Sequence, residues 1–281
     1  MWPKLPQDRY IDAGAVTTRY WEQGDGGSAV IFLHGFGLSA EIWMHNVNAV
    51  AQRHHAYVPD LVGFGKSDKP DVAYSIPYMA RFVDDFMRAT GIKKANLVGL
   101  SLGGGIALRF AMDYPEKVAN LILVDSAGFG NEVIFGLRLL SLPIIGEVLT
   151  VPSRAGTYFF FRDAVYDRRL LTHEFIDIYY RLHSLPGTRK ARLRILRAIV
   201  NIHGGRERIF TPTLTDLHRI RHRTMVIWGK QDRVLPLTHA YVAKEHIADS
   251  RLHLFDRCGH MPNFEHPEEF NRVVLEFLDE S

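Results

Sequence analysis

Cysteine is almost missing from this sequence. Cys258 stands alone among 281 residues, so no intrachain disulfide can form and nothing demands an oxidising compartment. Long apolar runs are missing too. None approaches the roughly 18 residues of a membrane span, and Met1 to Tyr10, with Pro3, Pro6 and Asp8, lacks the apolar stretch of roughly 7–15 residues found in a signal peptide. The expectation is a cytoplasmic protein without a membrane span. Charge is nearly balanced: 34 Lys and Arg face 31 Asp and Glu, a formal net charge of +3. No dense basic block marks a nucleic-acid surface. Metal-ligand spacing is missing as well, since His54 and His55 are adjacent rather than on one helix face and no His/Cys cluster has zinc spacing. The glycines form neither a G-x-G-x-x-G pattern nor a P-loop with its lysine. The sequence therefore names no metal, no cofactor and no nucleic-acid partner, and it shows no internal repeat.

What is there is rhythm. Short apolar runs end repeatedly on turn or polar residues: Val30–Leu33 before His34-Gly35, Ala56–Val58 before Pro59-Asp60, Asn96–Val98 before Gly99, Leu121–Val124 before Asp125, Met225–Trp228 before Gly229, and Leu252–Phe255 before Asp256. Such continuous runs predict strands buried on both faces, as in a parallel sheet. Helical patterns lie between them and predict right-handed βαβ units. Met79, Phe82, Val83 and Phe86 recur at i, i+3, i+4, i+7, with Gly91 placed to end their helix. Phe270, Val273, Val274, Phe277 and Leu278 form a similar stripe behind Pro267. Thr17–Trp21, followed by Gly24, Gly26 and Gly27, predicts an early antiparallel strand.

The rhythm stops after about Gly128 and resumes at Thr224. Between them lie helical patterns, many aromatics and no convincing strand. The expected organisation is an α/β core in two parts, 1–128 and 224–281, with a helical cap inserted at 129–223. The insertion carries about twice as many basic as acidic residues, notably Arg189, Lys190, Arg192, Arg194 and Arg197, which read as a solvated helix face.

Gly99-Leu100-Ser101-Leu102-Gly103 fits G-x-S-x-G. A predicted strand runs into it and an apolar helix, Ile106 to Met112, leaves it. That strand–turn–helix setting is what the motif requires. A sharp turn would hold Ser101 in strained backbone, and Gly99 and Gly103 make room where side chains would collide. On these residues the chain resembles the α/β-hydrolase superfamily, in particular its cap-bearing, esterase-like members, over about Tyr20 to Leu278.

The resemblance implies an α/β-hydrolase fold and a chain order of nucleophile, acid, histidine. Ser101 is the implied nucleophile. Asp232, in the loop after Met225–Trp228, is the implied acid, and His260, in the loop after Leu252–Phe255, the implied base. A serine hydroxyl needs a base to become nucleophilic, imidazole shuttles its proton near neutral pH, and a carboxylate orients the ring. Asp125, at the end of Leu121–Val124, is the rival acid. His34-Gly35-Phe36-Gly37 looks like the family's oxyanion loop, which assigns the two oxyanion amides to Phe36 and Leu102, with His34 bracing the loop. Asp60, in a glycine-rich turn, reads as structural.

The expected reaction is acyl transfer on a small-molecule ester, through an acyl-enzyme on Ser101. Serine at that position argues against the superfamily's dehalogenases and epoxide hydrolases, which use aspartate there. The alternative is carbon–carbon bond hydrolysis of aromatic-ring meta-cleavage products. Cys258-Gly259-His260 and Glu265-His266 resemble that group, whereas Leu100 and Met261 stand where it typically carries Asn and Trp. Perhydrolase and lactonase activities, and a hydrolase-derived ligand receptor, also stay open. Met261 adjoins His260 and is a candidate substrate contact. Phe135, Leu137, Leu139, Leu140 and Leu142 are candidates for an apolar pocket wall.

Overall fold

The computed structural model describes residues 3–280, with the side chains of 210–212 left out. Met1 and Trp2, part of the amino-terminal stretch read above, lie outside the described residues. The strands are β1 (Arg9–Ala13), β2 (Val16–Gln23), β3 (Ala29–Leu33), β4 (His55–Pro59), β5 (Ala95–Leu100), β6 (Val118–Val124), β7 (Val200–Asn201), β8 (Gly204–Gly205), β9 (Thr224–Gly229) and β10 (Ser250–Phe255). Eight of them make one sheet in the order β1-β2-β4-β3-β5-β6-β9-β10. The six strands from β4 to β10 run parallel, while β1 and β2 pair antiparallel at one edge. The central strands β5 and β9 are buried along their whole length, which is why their sequences are apolar without alternation.

Six of the predicted strands occur as β3, β4, β5, β6, β9 and β10, and Thr17–Trp21 lies within β2. The sequence does not announce β1, because Arg9-Tyr10-Ile11-Asp12 is mostly exposed on the sheet edge and carries no apolar run. The residues between β6 and β9 also hold one short pairing, β7 with β8, where no strand was expected. Pairs of residues cannot carry a periodic signal.

The helices are α1 (Val47–Val50), α2 (Ile76–Ala89), α3 (Leu102–Asp113), α4 (Phe135–Leu140), α5 (Ile145–Leu149), α6 (Arg154–Phe161), α7 (His173–His183), α8 (Thr188–Ile199), α9 (Glu207–Asp216), α10 (Thr238–His246), α11 (Pro262–Glu265) and α12 (Pro267–Asp279). Helix α2 starts where the Ser75 side chain accepts a hydrogen bond from the Tyr78 amide (3.2 Å). It stops before Gly91, whose φ of +75° closes the helix end. Its stripe of Met79, Phe82, Val83 and Phe86 is buried against one sheet face with α3 and α10, and the α12 stripe is buried against the other with α1. Each such side chain contributes about 1.5–3 kcal/mol by leaving water. Helices α4 to α9 all belong to the segment between β6 and β9.

Asp60 is structural, as expected. Its Oδ1 accepts from the Ala40 amide (2.7 Å) and its Oδ2 from the Lys66 amide (2.8 Å). It also faces the buried Arg19 guanidinium at 3.3 Å, with Glu41 at 2.9 Å on the other side. This network ties β2 to the loop after β3.

Candidate active site

The chain leaves β3 toward β4 on one side and returns through β5 on the other, so the strand order switches between β3 and β5. In parallel sheets the crevice at such a switch point, beyond the strand carboxyl ends, is where ligands gather. His34–Gly37 follows β3 there, and Ser101 follows β5.

Ser101 sits between β5 and α3 with φ 54° and ψ −115°. For a residue other than glycine this is a strained conformation, and its neighbours hold it in place. The Ser101 amide donates to the Val124 carbonyl (2.9 Å), and the Ser101 carbonyl accepts from the amides of Gly104 (3.0 Å) and Ala127 (3.0 Å). A Cβ on Gly99 would stand 2.6 Å from the Gly103 carbonyl oxygen, and a Cβ on Gly103 2.2 Å from that of Leu33. No side chain fits at either position.

The loop after β3 lies directly against this turn. A Cβ on Gly35 would be 3.1 Å from the Ser101 Cβ. Leu102 is the first residue of α3, where an amide has no intrahelical acceptor. His34 braces the loop. Its Nε2 accepts from the Leu61 amide (2.9 Å), so its Nδ1 carries the hydrogen and donates to the Gly35 carbonyl (2.9 Å). Burial lowers this imidazole to about 4, which keeps it neutral.

The His260 ring bonds through Nδ1 to Asp232 Oδ2 at 2.7 Å, and both side chains are buried. The other Asp232 oxygen accepts from the amides of Val234 (2.7 Å) and Leu235 (3.2 Å). The His260 amide donates to the Ala164 carbonyl (2.7 Å). Glu265 accepts from the Gly259 amide (2.8 Å) and the Tyr166 amide (2.6 Å), and burial holds its carboxyl above the usual range. The histidine loop is thereby tied to the segment between β6 and β9.

Ser101, His260, Phe36 and Met261 line one cavity of about 480 Å³. Leu137, Leu139 and Leu140 line it too, whereas Leu142 does not and Phe135 stands out in solvent. Leu100 is buried in the core and is no part of the cavity wall. Asp125 is buried below the site. Its Oδ1 accepts from the Gly229 amide (3.0 Å), and it makes no bond to the His260 ring.

One residue read as solvated is in fact at the centre. Arg192 is buried and lines the cavity. Its guanidinium lies 4.9 Å from the Phe160 ring and 5.8 Å from the Phe36 ring. Its Nε has no hydrogen-bond partner, no carboxylate among the described residues pairs with it, and burial alone draws its pKa down to about 10. The sequence did hold a signal. The buried positions of α8 are Thr188, Ala191, Arg192, Leu193, Ile195 and Leu196, and all but Leu193 follow an i, i+3, i+4, i+7, i+8 spacing that puts Arg192 on the inward stripe. Composition hid this, because the four other basic residues of the helix soften the stripe. His183 is the second residue the sequence did not flag. It is buried in the same wall, its Nε2 hydrogen donating to the Gly37 carbonyl at 2.8 Å, and burial and the Arg192 charge lower its pKa well below the ordinary value.

The chain as a whole is similar to known proteins. The family model described as alpha/beta hydrolase fold matches residues 28–267. The 2-hydroxy-6-oxo-6-(2'-aminophenyl)hexa-2,4-dienoic acid hydrolase of Metapseudomonas resinovorans is 32% identical over 275 residues, covering 96% of this chain and 90% of that protein. The 2-hydroxy-6-oxo-6-phenylhexa-2,4-dienoate hydrolase of Burkholderia cepacia is 32% identical over 262 residues, covering 90% and 88%. Among solved structures, a meta-cleavage product hydrolase from Pseudomonas fluorescens superposes with a TM-score of 0.85 at 30% identity, covering 97% of each chain.

Proposed function

This chain belongs to the alpha/beta hydrolase fold family, and we propose that it is a serine hydrolase that cleaves a carbon–carbon bond next to a ketone in an anionic, conjugated keto acid. The observation that carries this reading is Arg192. A buried guanidinium without a carboxylate is costly to keep desolvated, and an incoming carboxylate or enolate would supply its missing partner with bidentate geometry. A neutral ester would leave it unpaired. The named relatives act on dienoates of this class, which supports the same reading over the ester hydrolysis expected first.

In this mechanism Ser101 adds to the ketone carbon while His260 takes its proton, and Asp232 stabilises the imidazolium. The amides of Phe36 and Leu102 receive the oxyanion. Collapse of the tetrahedral adduct breaks the adjacent carbon–carbon bond. The released electron pair spreads into the conjugated keto acid, whose negative end faces Arg192, and His260 returns the proton to the departing carbon. Water then adds to the acyl group on Ser101 by the same acid–base path, so one water is consumed overall. The segment 129–223 acts as the cap that supplies Arg192 and closes the cavity.

Carboxylester hydrolysis is the second reading, favoured by the aliphatic wall of Ile134, Leu137, Leu139, Leu140 and Val234, which suits an acyl chain. Turnover of a 2-hydroxy-6-oxo-dienoate, followed by loss of its visible absorbance, is compared with turnover of p-nitrophenyl esters, with Ser101→Ala as control. Serine-dependent cleavage of the dienoate at the higher kcat/KM supports the first reading. The reverse ranking moves the assignment to esters.

A further inference from the structure

The described residues expose twelve large hydrophobic side chains, and eight of them fall between residues 135 and 166. Phe135, Ile144, Val148, Leu149, Val151 and Phe159 are each more than half exposed, Ile144 at 77%. Scattered apolar residues on a surface need no explanation, but a concentration of this kind does. Three of these residues, Leu149, Val151 and Phe159, also line the cavity. The patch is therefore the rim of its mouth. Ile144 is held at φ +69°, a region β-branched residues rarely enter, and it points the largest exposure of the set into solvent.

Charge is distributed to match. Residues 129–223 carry sixteen Lys and Arg against eight Asp and Glu, while the rest of the chain carries eighteen against twenty-three. The segment bearing the rim is thus positive and the remainder negative, which orients the rim toward a negative surface. Arg154 opens α6 and Arg162 follows its last residue; their ion pairs go to Asp177 and Asp163, and their guanidinium groups also lie over the Tyr180 and Phe159 rings. Exposed pairs of this kind are weak, so lipid phosphates can replace the carboxylates.

We propose that the apolar rim carried on α4, α5 and α6 seats on an anionic lipid surface, with Ile144 and Val148 entering the acyl boundary and Arg154 and Arg162 meeting phosphates. Apolar burial with flanking arginines is how interfacial segments bind bilayers. A second copy of the chain fits the rim less well, because the segment that carries the rim is positive in both copies and like charges would meet.

The test is flotation of the full chain with vesicles of phosphatidylcholine, with and without about one-third phosphatidylglycerol. The comparison protein is Ile144→Glu/Val148→Glu, whose sites are exposed and outside the cavity wall, with an unchanged melting temperature as the folding control. The intact chain floats with the anionic vesicles, on the order of tenfold less with phosphatidylcholine alone, and the double variant loses on the order of tenfold with the anionic ones. Equal flotation of the two proteins overturns the proposal, as does failure of the intact chain to float. Sedimentation of the intact chain as a dimer that the double variant dissolves would also overturn it, in favour of a second copy. None of these readouts depends on which bond the enzyme cleaves.

Discussion

Asp125 and Asp232 follow adjacent parallel strands and lie near the same imidazole, yet only Asp232 bonds it. The side chains of Asp125, Asp232 and His260 offer atoms that all lie within 4.8 Å of one another, and the 2.7 Å bond to Nδ1 comes from Asp232. Burial first, and then the neighbouring Asp232 charge, push the Asp125 carboxyl well above the carboxylate range. Two buried carboxylates this close do not both ionise, and burial favours the protonated form of Asp125. Asp125→Asn, nearly isosteric with the neutral acid, keeps most activity. Asp232→Asn leaves the ring in the wrong tautomer and lowers kcat by on the order of 10²–10⁴. Steady-state kinetics of both variants decide the matter, and the opposite ranking would move the acid to β6.

Ser101→Ala removes the proposed nucleophile without disturbing the turn, since the bonds that pin residue 101 are made by its backbone. Turnover falls by on the order of 10⁶ while the melting temperature stays within a few degrees of the parent. Retained turnover would end the assignment.

Arg192→Met separates binding from folding. Losing a charged hydrogen-bond donor to the substrate costs about 1.5–3 kcal/mol, so KM for an anionic dienoate rises about 10- to 100-fold, with far less change for a neutral ester. Stability should not fall, because replacing an unpaired buried charge by an apolar side chain of similar volume relieves desolvation. Equal losses on both substrates would contradict anion recognition.

Two buried histidines make the fold sensitive to acid. His34, lowered to about 4 by burial, and His183, lowered by burial and Arg192, stay neutral in the folded chain at pH values where the unfolded chain takes up protons. Below the ordinary histidine value of about 6.5 the unfolded state binds more protons, so stability is full above that pH and is lost as pH falls toward 4. For His34 alone the loss is on the order of 3 kcal/mol. Denaturant unfolding across this range measures the slope, and His34→Gln should flatten it, at the cost of a weaker bond to the Leu61 amide.

How much was legible follows from the range of each signal. The strands β3, β5, β6 and β9 and the stripes of α2 and α12 could be read because burial of a whole strand or one helix face imposes a period on consecutive residues. Strand β1 left no such trace, because an exposed edge strand tolerates polar residues. The positions of Ser101, Asp232 and His260 were readable from a motif and from strand ends. The roles of Arg192 and His183 were hidden among a run of basic residues and fourteen histidines.

The sequence by itself determined the alternation of strands and helices and the turn at Ser101, because local sterics and burial act over a few residues. It also offered two strand-end loops for the acid, with Asp232 and Asp125, and one for the base, with His260. Tertiary structure alone decided that Asp232 rather than Asp125 bonds His260, and that no carboxylate among the described residues meets Arg192 on the inward stripe of α8. It also gathered the exposed apolar residues of α4, α5 and α6 around one mouth. Those outcomes depend on which residues distant in the chain meet across a dry cavity, and no local pattern encodes a partner that another segment supplies or withholds.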